Sequence, residues 1–485
     1  MPLADRRLRT PLGSTCKRST GGMTDSLTPS SLTPSSLTPS PIALSDGRFL
    51  VPANRWDLLD DVPGRPQRIA VVIPFYEQHV QLAMLLAALE LQTYPRELVE
   101  IVVADDGSAT APRPDTELNV SVVRQARNGF RAAAARNLGT RATTAPILCF
   151  LDSDTYPEPG YLAGIARLPS LLPDALVVGR RRHAAIEDWT PDDLRQWWSG
   201  GPAPRLLEEP RWLIDAYAHS QRLLAIDHRS YRYVISSVMA CSRQLFEDIG
   251  GFDESFSRYG GEDWELAHRA VTGGAVLQYV PEAVAWHAGP DWAARDVSER
   301  TAAKNRESLD VARLVTDPDA RRPGLRYAIP EVAVEIDTTD HTVGSLVATV
   351  ACFLHLDVGV WLDGPSAAQR RRELGDDDPR IQVGVVPQGV RRRCRFVVST
   401  RGRPVLPRSA ASRLIAACAE RGVGEVHSRV EDAAVTCRSS WSLNRVRRWS
   451  TTVDPELLRG LYESIRLPAS ELGLSEGPPE PSLAW

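Results

Sequence analysis

Four short apolar runs, at residues 69–73, 100–103, 120–123 and 147–151, set the frame for this chain. Runs of this length bounded by turn residues suit strands buried on both faces. Between them the apolar spacing becomes helical, over residues 80–91 and 132–142. Strands alternating with helices predict an α/β fold: a Rossmann-like, mostly parallel sheet with helices on both faces.

With 485 residues, 43% apolar and 24% charged, the chain has material for more than one packed domain. A net charge of −4 offers no global attraction to nucleic acid, and no such partner is expected. Only Lys17 and Lys304 are lysines, so nearly all positive charge is arginine, as in a high-GC bacterial genome. The seven cysteines show no Cys-x-x-Cys pair, and the N-terminus lacks the apolar core of a signal peptide. Both point to reduced thiols and a cytoplasmic location. The most apolar stretch, residues 343–362, is broken by His355 and Asp357, so it predicts a buried helix and strand and not a membrane span. Residues 26–40 are three copies of Ser-Leu-Thr-Pro-Ser, a composition that cannot bury a core. They predict a disordered leader, within which Met23 competes with Met1 as the start.

In α/β sheets ligands sit beyond the carboxyl ends of the strands. The residues there are Pro74-Phe75-Tyr76-Glu77, Asp105-Asp106-Gly107-Ser108 and Asp152-Ser153-Asp154, followed far downstream by Gly260-Gly261-Glu262-Asp263-Trp264-Glu265. Taken singly, Asp105-Asp106 fits a helix cap or turn equally well. Asp152-Ser153-Asp154 directly ends an apolar strand, and alternate carboxylates there suit a hard divalent ion, although a capped turn before Pro157 would use the same residues. His287 follows another strand-like run at 276–280 and a turn at Pro281; it is either a further ligand or a structural histidine.

The ordered set Ile-Pro-x-Tyr, Asp-Asp-Gly-Ser, Ala-Arg-Asn-x-Gly (residues 135–139), Leu-Asp-Ser-Asp, Gly-Gly-Phe-Asp (250–253), Gly-Gly-Glu-Asp and Trp-His resembles family 2 glycosyltransferases of the GT-A fold over residues 68–290. Residues 259–265 with 283–287 are similar to the bacterial chondroitin and hyaluronan polymerases and, more distantly, to the galactosyltransferase-type C-terminal segment. The resemblance implies that Pro74, Tyr76 and Glu77 line the base and ribose pocket and that Asp106 bonds the base. It places Asn128 and Arg136 on the nucleotide and Asp152 on ribose and metal. Asp154 and His287 would hold Mn²⁺ or Mg²⁺. Asp263 would be the general base, Glu262 would bind the acceptor, and Trp264 would form an acceptor wall unless it is a plain core residue. Such an enzyme would move a sugar from a nucleotide donor, UDP-linked by preference, to a hydroxyl on a glycan, lipid-linked, small-molecule or peptide acceptor. Asp at 263, where similar retaining polypeptide transferases carry Asn, favours inversion. A protein that only binds sugar nucleotides or glycans is the non-enzymatic alternative.

The pattern restarts downstream. Val332-Ala-Val-Glu-Ile336 can be laid on Ile69-Ala-Val-Val-Ile73; further on, residues 396–402 are laid on 149–155, so that Ser399, Thr400 and Arg401 stand where Asp152, Ser153 and Asp154 stood. The expected organisation is a leader and N-terminal segment at 1–65, a catalytic GT-A domain at 66–295, a helical linker at 296–328, a degenerate GT-A-like domain without the metal motif at 329–467, and a tail at 468–485. A homodimer is one expected use of the second domain; an unrelated α/β domain is the competing reading.

Overall fold

The computed structural model describes residues 39–258, 260–290, 297–322, 324–375, 377–420, 422–450 and 453–483. Met1, Met23 and nearly all of the Ser-Leu-Thr-Pro-Ser repeats lie outside the described residues. Strands β1 (Ile42–Ala43) and β2 (Phe49–Leu50) form a small antiparallel pair. The first large sheet comprises β3 (Ile69–Phe75), β4 (Val99–Asp105), β5 (Val120–Arg124), β6 (Ile147–Leu151), β7 (Thr155–Pro157), β8 (Ala175–Ala184), β9 (Leu206–Leu207), β10 (Val238–Ser242) and β11 (Val276–Ala288). Its order is β5-β4-β3-β6-β10-β8-β11-β7, with β9 on β8. Strands β5, β4, β3 and β6 are parallel, whereas β10 runs antiparallel to both β6 and β8. The wholly apolar β6 is buried along its length, while edge strand β5 leaves Val122 40% exposed. That is the difference expected between a strand covered on both faces and one at an edge.

Pro281 interrupts no strand. β11 continues through it, and its parallel register with β8 shifts between Val280 and Val284. A proline cannot donate to a ladder, so the chain accommodates it as a bulge and then resumes pairing up to His287.

The N-terminal segment before residue 66 is ordered earlier than its composition suggested. Leu50, Val51, Trp56 and Leu59 are buried. The Asn54 side chain donates to the Leu277 carbonyl at 2.9 Å and accepts from the Leu277 amide at 2.7 Å, while the Ala53 amide donates to Leu461 at 2.7 Å. Apolar residues too few for their own core find one between the two sheets. The C-terminal segment is likewise packed: Leu472 and Leu474 are buried, and Ser475–Glu476 pairs with Pro404–Val405.

The second sheet contains β12 (Val332–Asp337), β13 (Val358–Asp363), β14 (Ile381–Val383), β15 (Phe396–Arg401), β17 (Glu425–Val430), β18 (Ala433–Ser439) and β19 (Ser464–Arg466), with β16 (Pro404–Val405) and β20 (Ser475–Glu476) forming the separate pair just described. Its order is β14-β13-β12-β15-β18-β17-β19, again parallel from β14 to β15 and antiparallel at β18. In the chain, the helix Val297–Leu314 lies between the strands of the first sheet and those of the second. The helix Ser440–Trp449 ties them together: Arg445 is fully buried, with Nε 2.7 Å from Asp174 and Nη1 2.8 Å from the Ala53 carbonyl, and Arg448 also binds Asp174.

Candidate active site

The carboxyl ends of β3, β4 and β6 open onto a cavity of about 1100 Å³ lined by Pro74, Tyr76, Asp106, Arg136, Asp152, Asp154, Glu262, Asp263 and Trp264, among others. The first six are delivered by strand ends and the helix Ala132–Arg141. The last three arrive from the far side because Gly260 and Gly261 turn the chain at φ +96° and +92°. A Cβ on Gly261 would sit 2.8 Å from Val311, so only glycine can start the helix Glu262–Thr272 at this point.

Arg136 organises the acidic groups. Its buried guanidinium donates to Asp152 at 2.8 Å and to Glu262 at 3.1 Å, and these two carboxylates raise its pKa against the opposing effect of burial. Glu262 is therefore held by Arg136. A role for it in gripping an acceptor would have to use Oε2, which is buried without a partner. Asp263, beside it, accepts from the Trp264 amide at 2.8 Å. Burial foremost, then the charge of Glu262, push its pKa up to about 7, and Arg136 opposes the shift. A carboxylate tuned to neutrality is what proton abstraction at working pH requires.

Asp154 faces His287 with 3.7 Å between Oδ2 and Nε2, brought together by the pairing of His287 with Thr155. Burial, partly offset by His287, raises the pKa of Asp154. Nδ1 of His287 is buried without a hydrogen-bond partner. A carboxylate disfavoured as an anion beside an imidazole with an unsatisfied nitrogen fits a divalent cation. The donor set is smaller than the three ligands expected, because Asp152 is committed to Arg136, and no cluster of three potential ligands occurs among the described residues.

Three expected residues lie outside the cavity lining: Glu77, Asn128 and His287. The Glu77 carboxylate accepts from the Ala109 amide, and the Glu77 amide donates to the Ser108 hydroxyl, so it shapes the loop after β4. Asn128 is exposed. Asp106 lines the cavity, but both its oxygens are engaged in this state, by Gln125 at 2.7 Å and the Arg131 amide at 2.9 Å. Residues without a motif signal also reach the site. Arg127 lies 3.7 Å over the Tyr76 ring, and Lys304, 2.7 Å from Glu307, lies 4.9 Å from the Trp264 ring. Only tertiary packing brings the helix of Lys304 here.

Comparison with known proteins relates the chain to glycosyltransferases. Residues 70–231 match glycosyl transferase family 2, and residues 223–285 match the N-terminal domain of galactosyltransferase. A validoxylamine A glucosyltransferase from Streptomyces hygroscopicus subsp. jinggangensis is 27% identical over 404 residues, covering 78% of this chain and 86% of its own. A chondroitin synthase from Escherichia coli is 27% identical over 268 residues, covering 51% of this chain and 39% of its own. Among solved structures, a mannosyltransferase from Pyrobaculum calidifontis in complex with GDP-Man and Mn²⁺ aligns with 50% of this chain and 60% of its own, at 18% identity and a TM-score of 0.33. Residues 70–285 thus carry a family 2 glycosyl transferase domain running into a galactosyltransferase-type segment, and the relatives the chain matches are glycosyltransferases.

Proposed function

We propose that this enzyme transfers a sugar, with inversion, from a nucleoside-diphosphate donor, UDP-linked in the first instance, to a hydroxyl of a small polyhydroxylated acceptor. The observation that carries this is the pairing within one cavity of a cation-suited Asp154 with a near-neutral Asp263. A single displacement needs charge neutralisation at the leaving group and a base at the acceptor. Asp154 and His287 would hold Mn²⁺ or Mg²⁺, which when bound neutralises the departing diphosphate. Pro74 and Tyr76 form the wall against which the base would lie, with Arg127 covering the Tyr76 face. Arg136 keeps Asp152 and Glu262 in place and moderates the charge beside Asp263. Asp263 takes the proton from the acceptor hydroxyl, and Trp264 offers an aromatic face to the acceptor ring. The validoxylamine A relative aligns over 78% of this chain, against 51% for the chondroitin synthase, which favours a small acceptor over a polymer.

Thermal stability measured with UDP and UDP-glucose, with and without Mn²⁺, tests the donor half. A bound ligand at a hundred times its Kd stabilises by about 2.7 kcal/mol. Stabilisation that needs Mn²⁺ and vanishes in Asp154→Ala is the expected result; stabilisation indifferent to Mn²⁺ refutes the metal role. For the base, log kcat/KM should rise with slope one up to an inflection near pH 7 and then level, following ionisation of Asp263. A profile flat from pH 5 to 9 contradicts that assignment.

A further inference from the structure

The second sheet repeats the first strand for strand. The order β14-β13-β12-β15-β18-β17-β19 corresponds to β5-β4-β3-β6-β10-β8-β11, with every parallel and antiparallel pairing preserved. The register is pinned by two serines that end equivalent strands and stand at the N-cap positions of the helices that follow, Ser242 also accepting from the Leu245 amide. Ser242 pairs with Ile147, and Ser439 pairs with Phe396. The first parallel strands agree, since Ile69 pairs with Ile147 and Val332 with Phe396. Counting onward from Ile147 and Phe396, Arg401 occupies the position of Asp152 and Arg403 that of Asp154. This corrects the alignment read from the sequence, which was two residues out on β15.

The carboxyl ends of β12, β13 and β15 also open onto a cavity, of about 920 Å³, lined by four arginines, Arg401, Arg403, Arg429 and Arg438, and by five carboxylates, among them Asp337 and Asp363. Gly402, between the first two arginines, has φ +64°, and a Cβ there would lie 2.6 Å from the Asp432 carbonyl, so the turn presenting the pair tolerates only glycine. Arg403 is fixed through Nε to the Gly477 carbonyl at 2.9 Å and through Nη2 to Glu476 at 2.6 Å, which leaves Nη1 for a ligand. Arg401 is exposed and forms no ion pair among the described residues.

We propose that this second crevice binds a phosphorylated, hydroxyl-rich ligand, a nucleoside diphosphate or sugar phosphate, without a divalent ion. Both crevices carry charges of both signs, but where the first places Asp152 and Asp154 at the end of its fourth parallel strand the second places Arg401 and Arg403, and guanidinium groups bond phosphate oxygens directly and in bidentate fashion. Asp363 and Asp337 at the neighbouring strand ends supply acceptors for hydroxyls. The cavity has the size of a small-molecule site. The inference rests on the sheet correspondence and stands apart from the catalytic reading of the first site.

The test is calorimetric titration of the full chain in EDTA with UDP, glucose 1-phosphate, inorganic pyrophosphate and glucose. At least one phosphorylated probe should saturate, and glucose should not. UDP against glucose 1-phosphate separates the two ligand sources. Arg401→Glu, at an exposed position, should weaken that binding at least tenfold while leaving Mn²⁺-dependent donor stabilisation intact, and Asp154→Ala should leave the EDTA-resistant binding intact. No saturation in EDTA, or saturation unchanged by Arg401→Glu, overturns the proposal. Loss of the Mn²⁺-dependent signal alone would instead count against the first site.

Discussion

Asp263→Asn is expected to lower kcat by about 10²–10⁴-fold, the usual contribution of a positioned general base. Donor binding should be unchanged, because the substitution keeps the shape and the acceptor for the Trp264 amide. The stability effect runs the other way. The pKa of Asp263 is raised in the folded chain, so its contribution is fully present below its ordinary value near 3.8 and is lost as pH rises towards 7. At neutral pH and above the wild-type carboxylate is therefore a cost, and Asn removes it. A variant that is slower yet melts higher at pH 8 than wild type is the expected signature. One that loses activity and melts lower would mean that Asp263 is a structural residue.

Arg445→Ala should cost about 3–5 kcal/mol, because breaking a buried ion pair leaves its partner charge uncompensated. Arg445 reaches Asp174, in the turn leading into β8 of one sheet, from a helix packed on the other, and Arg448 can compensate Asp174 only in part. Such a loss is a large share of the roughly 5–15 kcal/mol that holds a native protein together. Chemical denaturation should show a lower midpoint and, if the two sheets then unfold separately, two transitions. A double-mutant cycle with Asp174→Asn checks the pairing, since the two losses should fall well short of additive.

The local parts of this molecule were open to reading along the chain. Buried strands such as β3 and β6 announce themselves because every residue is apolar, and strand-end motifs follow directly from them. Mismatches arose where the deciding partner is distant. Residues 42–59 fell within the leader and N-terminal segment expected at 1–65, outside either packed domain, yet they are held against Leu277 and Leu461, segments hundreds of positions away. Pro281 looked like a turn because the ladder that carries the chain past it belongs to β8. The alignment of the second sheet slipped because side chains repeat every two residues along a strand, so apolar runs match equally well at shifted registers.

The order of motifs by itself determined the α/β architecture and the identity of the acidic residues at the strand ends, since both depend on short-range periodicity and on residue chemistry. Only the tertiary structure decided what those acids can do. Arg136 takes Asp152 and Glu262 out of the free set, His287 is turned towards Asp154, and enclosure lifts Asp263 to about pH 7. Ionisation and coordination depend on which charges and how much water surround a group, and those surroundings exist only once remote segments have packed together.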